Sequence, residues 1–278
     1  MQLCVFNPEH DLCLAKGRWN YVPPQSAVDF ARRDVGLMQV LYPDAYCCSV
    51  YDLTSERAAQ VTEVVTWGWD AVVKHELMKR GIDEALLPTD EEINIIRELQ
   101  HRSTVLPLQP DSHEVHSVEE MEALLQEREH WVMKAPWSGA GRGLRWVHGS
   151  LTAIDRDWLL KTVTAQRCVI AEPNREVVAD VALEYMDGRF VGYSYFRTGS
   201  GVYKENIMWC DEKIEATFSL LPVRERMERW LEENVWPRYR GPLGVDMMAC
   251  GDGSIHVAEM NVRHTMGMVA HERLKNIG

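Results

Sequence analysis

Gly244-Val-Asp246-Met-Met-Ala-Cys250-Gly251-Asp252-Gly253-Ser254-Ile255-His-Val257-Ala-Glu259-Met-Asn261-Val-Arg263 is the stretch whose reading decides the fold. Gly251-Asp252-Gly253-Ser254 reads as a tight turn between two strands, because Asp-Gly suits the positive-φ positions of a hairpin. Folding the chain about Asp252 and Gly253 sets Cys250 against Ile255, Met248 against Val257, and Asp246 against Glu259. Strand alternation puts Glu259, Asn261 and Arg263 on one face. Two carboxylates, an amide and a guanidinium then share one patch. Like charges directly opposed across strands are destabilising, and a cation between them removes the penalty. All-oxygen donors of this kind suit Mg²⁺ shared with substrate phosphates. The bland alternative is a solvated hairpin face with incidental charges. The register, the amide and the trailing arginine argue against it.

A second constellation is Lys134-Ala-Pro-Trp-Ser138-Gly139-Ala-Gly141-Arg142-Gly143. Small residues let backbone N–H groups approach phosphate oxygens, and Lys134 and Arg142 add charge. A P-loop runs into a helix and ends in Gly-Lys-Ser/Thr. This loop runs from the strand Trp131–Lys134 into the strand Leu144–Val147, so it reads as a flap. The lysine of a kinase flap lies on a later strand, whereas here it precedes the loop. The dinucleotide fingerprint fails too, because no helix opens at the third glycine.

Taken in order, these pieces resemble the ATP-grasp superfamily over about residues 104–278. The resemblance implies that Lys134 and Ser138, Gly139, Gly141, Arg142 and Gly143 form the nucleotide lysine and phosphate flap. It implies that Ile170-Ala-Glu172-Pro173 is the hinge lining the adenine pocket, with Glu172 a nucleotide ligand and Asp180 a ribose ligand. Asp246, Glu259 and Asn261 would hold Mg²⁺, with Mn²⁺ as the alternative ion. Arg263 would steady the transferring phosphoryl group. Lys204, in Gly199-Ser-Gly201-Val-Tyr-Lys204-Glu-Asn206, would lie on a flexible substrate- or phosphate-contacting loop, and Arg102 matches the family's earlier basic residue. The chain departs from the pattern at Val262, where proline is frequent, and His264-Thr-Met-Gly267 carries no role the resemblance supplies.

The expected fold is α/β and α+β. A small open α/β domain preceding the ATP-grasp unit would cover 1–103. The ATP-grasp domain would cover 104–278, with a first subdomain at 104–171 carrying the flap and a second at 172–278 carrying the metal site. The first part alternates a strand at 2–6, a helix over 25–42, a strand at Val61–Trp67, a helix Asp70–Arg80 capped by Asp70, and a helix Glu91–His101 capped by Thr89-Asp90. The second part reads as mostly antiparallel, with helices near 117–128, 155–165, 222–236 and 265–275, and long strands Val177–Met186 and Arg189–Phe196 about Asp187-Gly188.

Composition sets the outer bounds. The 278 residues carry a net charge of −12, which argues against a broad basic nucleic-acid surface. No apolar run reaches the ~18 residues of a membrane span, and the amino terminus lacks the form of a signal peptide. Seven cysteines without regular spacing suggest buried thiols in a reducing cytoplasm. His113-Glu-Val-His116 lacks the helical spacing of a zinc motif. The family's chemistry implies an ATP- and Mg-dependent ligase that activates a small-molecule or peptide carboxylate as an acyl phosphate for attack by an amine or thiol. The rival readings are a small-molecule kinase on the same fold and a nucleotide-binding regulator without turnover. A homodimer is the base-rate expectation. Asn7, Glu9, His10 and Asp11, just beyond the first strand, read as a structural turn ahead of a substrate pocket, Trp67-Gly-Trp69 as core, and the acidic run 225–233 as a solvated face.

Overall fold

The computed structural model describes residues 1–139, 143–199 and 201–275. Its first layer comprises β1 (Gln2–Val5), α1 (His10–Lys16), α2 (Gln25–Arg33), α3 (Gly36–Leu41), β2 (Tyr46–Cys48), α4 (Ser55–Ala58), β3 (Glu63–Thr66), α5 (Ala71–Lys79) and α6 (Asp90–Leu99). β1 lies between β2 and β3 in a parallel sheet, with Cys4 level with Cys47 and Val65. Such a central strand is covered on both faces, which is why Leu3, Cys4, Val5 and Phe6 are all apolar and buried. Asp70 caps α5 by accepting from the amides of Val72 and Val73 at 2.8 and 3.0 Å. Thr89 and Glu92 form a reciprocal capping box on α6.

Two features of this layer differ from the sequence reading. The single helix expected over 25–42 is two, because Asp34 leaves helical geometry (φ −107°, ψ 21°) just before Gly36, a poor helix former. The polar run after β1 is less of a turn than expected, since α1 starts at His10.

The rest of the chain builds two antiparallel sheets. A 3₁₀ stretch, Arg102–Leu108, leads to β4 (His113–Val115), α7 (Val118–Glu127), β5 (His130–Lys134), β6 (Leu144–His148), α8 (Ala153–Gln166) and β7 (Val169–Pro173). Their strands lie in the order β4-β7-β5-β6. Trp131, Met133, Val169 and Ala171 face Met121, Leu125 and Leu159 of the two helices. Next come β8 (Val177–Met186), β9 (Arg189–Gly199), β10 (Val202–Ile207), α9 (Asp211–Phe218), α10 (Leu221–Asn234), β11 (Pro242–Cys250), β12 (Ile255–Asn261) and α11 (Met266–Lys275). The sheet order is β10-β9-β8-β11-β12. Leu183, Tyr185 and Val245 pack on Met227 and Leu231 of α10. Each such side chain fully buried contributes roughly 1.5–3 kcal/mol. Glu225, Glu232 and Glu233 on the other side of α10 are exposed, as expected.

The hairpin register is corrected at one end. Asp246 does face Glu259, but Met247 faces Val257, Met248 faces His256 and Ala249 faces Ile255. Ala258 is an extra residue on β12, a bulge that shifts the pairs nearer the turn by one. The expected flexible loop at 199–206 is also replaced, because Val202–Ile207 pairs with β9 as β10, with Gly201 at φ 73° turning the chain.

Candidate active site

The bulge at Ala258 leaves Asp246, midway along β11, directly opposed to Glu259, two residues before β12 ends at Asn261. Burial raises the Asp246 carboxyl well above its ordinary value, and the neighbouring Glu259 and Glu184 push the same way. Asn261, buried beside them, opposes the shift. Glu184 enters from β8, level with Gly244 of β11. Its carboxylate accepts from Thr265 Oγ1 at 2.7 Å and Ser194 Oγ at 2.9 Å. Burial raises it to about 7, with those two hydroxyls opposing the shift. The sequence signal for this residue is a charge inside the otherwise apolar Val181–Tyr185.

The site's cations are held by protein carboxylates. Arg263 Nε and Nη2 lie 3.3 and 3.2 Å from the two Asp11 oxygens. Gln100 ties the pair down, donating to Asp11 at 3.3 Å and accepting from the amide of Val262 at 2.5 Å. Burial drives the Asp11 carboxyl up, but Arg263, His10 and Arg102 together outweigh it and leave the group below its usual value. Arg102 forms an ion pair with Glu259 and donates to the carbonyl of Ala135, to Ser138 Oγ at 2.7 Å and to the Ser138 carbonyl at 3.2 Å. It thus bridges β12 and the root of the glycine loop.

Lys134, the last residue of β5, is buried and pairs with Glu172 of β7 at 2.6 Å. The loop beyond closes through a hydrogen bond from the amide of Ala135 to the carbonyl of Gly143 at 2.8 Å. Gly141 and Arg142, two of the expected flap residues, lie outside the described residues. Gly139 needs to be glycine, since a Cβ there would stand 2.6 Å from Asp11 Oδ2. Asp180 accepts from Thr198 Oγ1 at 2.8 Å, and burial raises its carboxyl. Lys204 is exposed on β10, at the register shift between Tyr203 and Glu205.

A cavity of about 490 Å³ collects part of this set: Ser138, Gly139, Asp246, Glu259, Asn261 and Arg263 line it. Lys134, Glu172, Asp180, Arg102 and Lys204 do not. The first layer also lines it, with Phe6, Glu9, Asp11, Phe30 and Trp67. A wider groove of about 1030 Å³ touches Arg263 but is lined by neither Asp246 nor Glu259, so the smaller cavity is the candidate.

The residues after β1 divide between scaffold and cavity. Asn7 is scaffold, donating to the Gly68 carbonyl at 2.7 Å and to Asp70 at 3.1 Å. Glu9 and Asp11 reach the cavity, and burial raises Glu9 to about 7. His10 is fully buried within 3.6 Å of Asp70. Trp67 serves the core, edge-on to Phe6 at 5.2 Å, and also lines the cavity. His264 has a structural role that the sequence did not reveal. Its amide donates to the Trp67 carbonyl at 2.8 Å, Nδ1 lies 3.0 Å from the Thr66 carbonyl, and Nε2 lies 2.8 Å from the Tyr42 hydroxyl. Those partners make Nδ1 the donor and Nε2 the acceptor of a neutral ring. Burial holds its pKa down at about 4.

No protein-family model and no curated protein matches the chain. Solved structures do. D-cycloserine synthetase matches with a TM-score of 0.59 at 13% identity, over 100% of both chains. N5-carboxyaminoimidazole synthetase from Staphylococcus aureus, in complex with ADP, matches at 0.54 and 12%, over 95% of this chain and 70% of that one. A RimK-domain ATP-grasp protein from Sphaerobacter thermophilus matches at 0.51 and 12%, over 99% and 98%. The chain has the ATP-grasp fold.

Proposed function

We propose that the protein is a Mg-dependent ligase that uses ATP to convert a carboxylate to an acyl phosphate, with loss of ADP, and then passes the acyl group to an amine or thiol with release of phosphate. The observation that carries this reading is the opposed Asp246–Glu259 pair that lines, with Asn261 and Arg263, a cavity also lined by the first layer. Two carboxylates and an amide are hard oxygen donors, and the raised proton affinity of Asp246 marks a place that favours added positive charge. Asp246, Glu259 and Asn261 therefore fit Mg²⁺, which would neutralise phosphate charge during transfer.

The protein's own groups then divide the work. Arg263, aimed by Asp11 and Gln100, stabilises charge on the transferring phosphoryl group. Lys134 and the Ser138–Gly143 loop hold the phosphates behind it, and Arg102 keeps that loop against the strand of Glu259. Glu172 and Asp180 take the nucleoside side of the cleft, and Lys204 closes over from β10. The boundary between the substrate-binding first domain and the ATP-grasp domain falls near residue 103, and the acceptor sits between Glu9, Phe30 and the metal-binding patch. That the Staphylococcus aureus structure contains ADP supports the nucleotide site.

Thermal unfolding with and without Mg-ATP, for wild type and Glu259→Gln, tests the reading. Ligand at 100 times its Kd adds about 2.7 kcal/mol, which for a chain of this size is a rise of several degrees at ~2–4 °C per kcal/mol. The expected result is a magnesium-dependent rise in wild type that shrinks in the variant, followed by ADP release when carboxylates and amines are supplied. An unchanged midpoint at saturating Mg-ATP would remove the proposal.

A further inference from the structure

At the end of the β5–β6 hairpin remote from the glycine loop, three side chains converge: Glu129, His130 and His148. Their ligand atoms all lie within 4.8 Å of one another, and all three residues are exposed. His130 and His148 are directly paired across the antiparallel ladder. Their rings stand 4.1 Å apart between centroids, at 73°. The backbone beneath is fixed on each side. Glu129 accepts from the Gly149 amide at 2.8 Å, His130 from the Asn174 amide at 3.1 Å, and His148 from the Ser150 amide at 2.7 Å. None of the three side chains makes a hydrogen bond or an ion pair with another described residue, although charged side chains elsewhere on the surface pair freely, as Arg32 does with Asp52 at 3.0 Å.

We infer that Glu129, His130 and His148 form a surface site for a divalent transition metal such as Zn²⁺ or Ni²⁺. Two imidazoles and one carboxylate are a donor set suited to these ions and not to Mg²⁺, which prefers oxygen. Nitrogen ligands ~2.0–2.1 Å from a tetrahedral ion lie about 3–4 Å from each other, so the observed spacing closes on an ion with small rotamer changes, and water completes the shell. The site is separate from the Asp246–Glu259 patch. His130 opens β5 and Lys134 ends it, four residues or about 13 Å further on at ~3.3 Å per residue. An ion here ties β5 to β6 and fixes the register of the two strands that support the glycine loop. The inference does not depend on the proposed ligase activity.

Titration calorimetry of tag-free protein with Ni²⁺ is the test, using wild type, His130→Ala, His148→Ala and Glu129→Gln. One ion per chain is expected, weakened at least tenfold by each histidine substitution and less by Glu129→Gln, with the unfolding midpoints of the metal-free variants within a degree or two of wild type. Electron paramagnetic resonance of the Cu²⁺-loaded protein should show coupling to two imidazole nitrogens. Absence of one-to-one binding, or undiminished affinity in both histidine variants, overturns the inference, since it places any bound ion elsewhere.

Discussion

Burial beside Glu259 and Glu184 raises the proton affinity of Asp246, so at neutral and higher pH its ionised form opposes folding and the protein gives up stability to keep it. Asp246→Asn should therefore be more stable than wild type at pH 8, by about 1 kcal/mol or more, while losing Mg-dependent ADP release. Urea titrations across pH should show the advantage shrinking as the pH falls and Asp246 takes up its proton. Asp11 acts through another residue. It lines the cavity, but its carboxylate is engaged by Arg263 and Gln100. Asp11→Asn is expected to lower kcat for ADP release by about 10²-fold, as small misplacements of a charge-stabilising group do, with little change in Mg-ATP affinity by calorimetry. His264 has the opposite pH signature to Asp246. Its folded value of about 4 lies below the ordinary 6.5, so on acidification the unfolded chain takes up the proton first. Stability is then lost from about pH 6.5 down to about 4, at up to ~1.4 kcal/mol per pH unit. His264→Gln should be less stable at pH 7 and should lack that part of the acid slope.

Elements were legible in the sequence where local chemistry decides them. Asp70 and Thr89 cap helices as expected, although Asp90, read as part of the cap, is already the first helical residue, and Asp187-Gly188 turns between β8 and β9 at positive φ. The Asp246–Glu259 pair was legible too, because alternation and a tight turn are short-range facts. The bulge at Ala258 was not, since a hairpin of this length reads equally well with or without an extra residue. Nor was β10, whose pairing with β9 satisfies a segment that alone reads as a loop. The start of α11 shows tertiary control of a single residue type. A Cβ on Gly267 would fall 2.5 Å from Ser194 Oγ and into the Glu184 carboxylate. Gly267→Ala should cost about 1–3 kcal/mol in a denaturant melt despite alanine's better helix propensity.

On the scale of the whole molecule, the site is made by contacts no local pattern encodes. Asp11 meets Arg263 across 252 positions of sequence, Arg102 joins Ser138 to Glu259, and Gln109 donates to the Val257 carbonyl at 2.5 Å. Motifs pointed to the Asp246–Glu259 hairpin and the glycine loop, but which residues of the first layer meet them is a matter of packing. Arg102→Ala removes one such tie and leaves Glu259 without its partner. It should cost about 1–3 kcal/mol and loosen the coupling between nucleotide and metal, read as a weaker Mg²⁺ dependence of the ATP-induced thermal shift.

The tie from His264 back to Thr66 and Trp67 also concerns the order in which the chain is made. Phe6, Met38 and Trp67 share their core with Val269 of α11, and the strand end at Trp67 waits for the His264 amide across 197 positions. At ~5–20 residues per second of synthesis, that gap is roughly 10–40 s in which the first layer is translated but lacks the segment that seals it. During that interval the apolar residues meant for α11 face solvent or a chaperone. Settling of this layer into its final packing thus follows synthesis of α11.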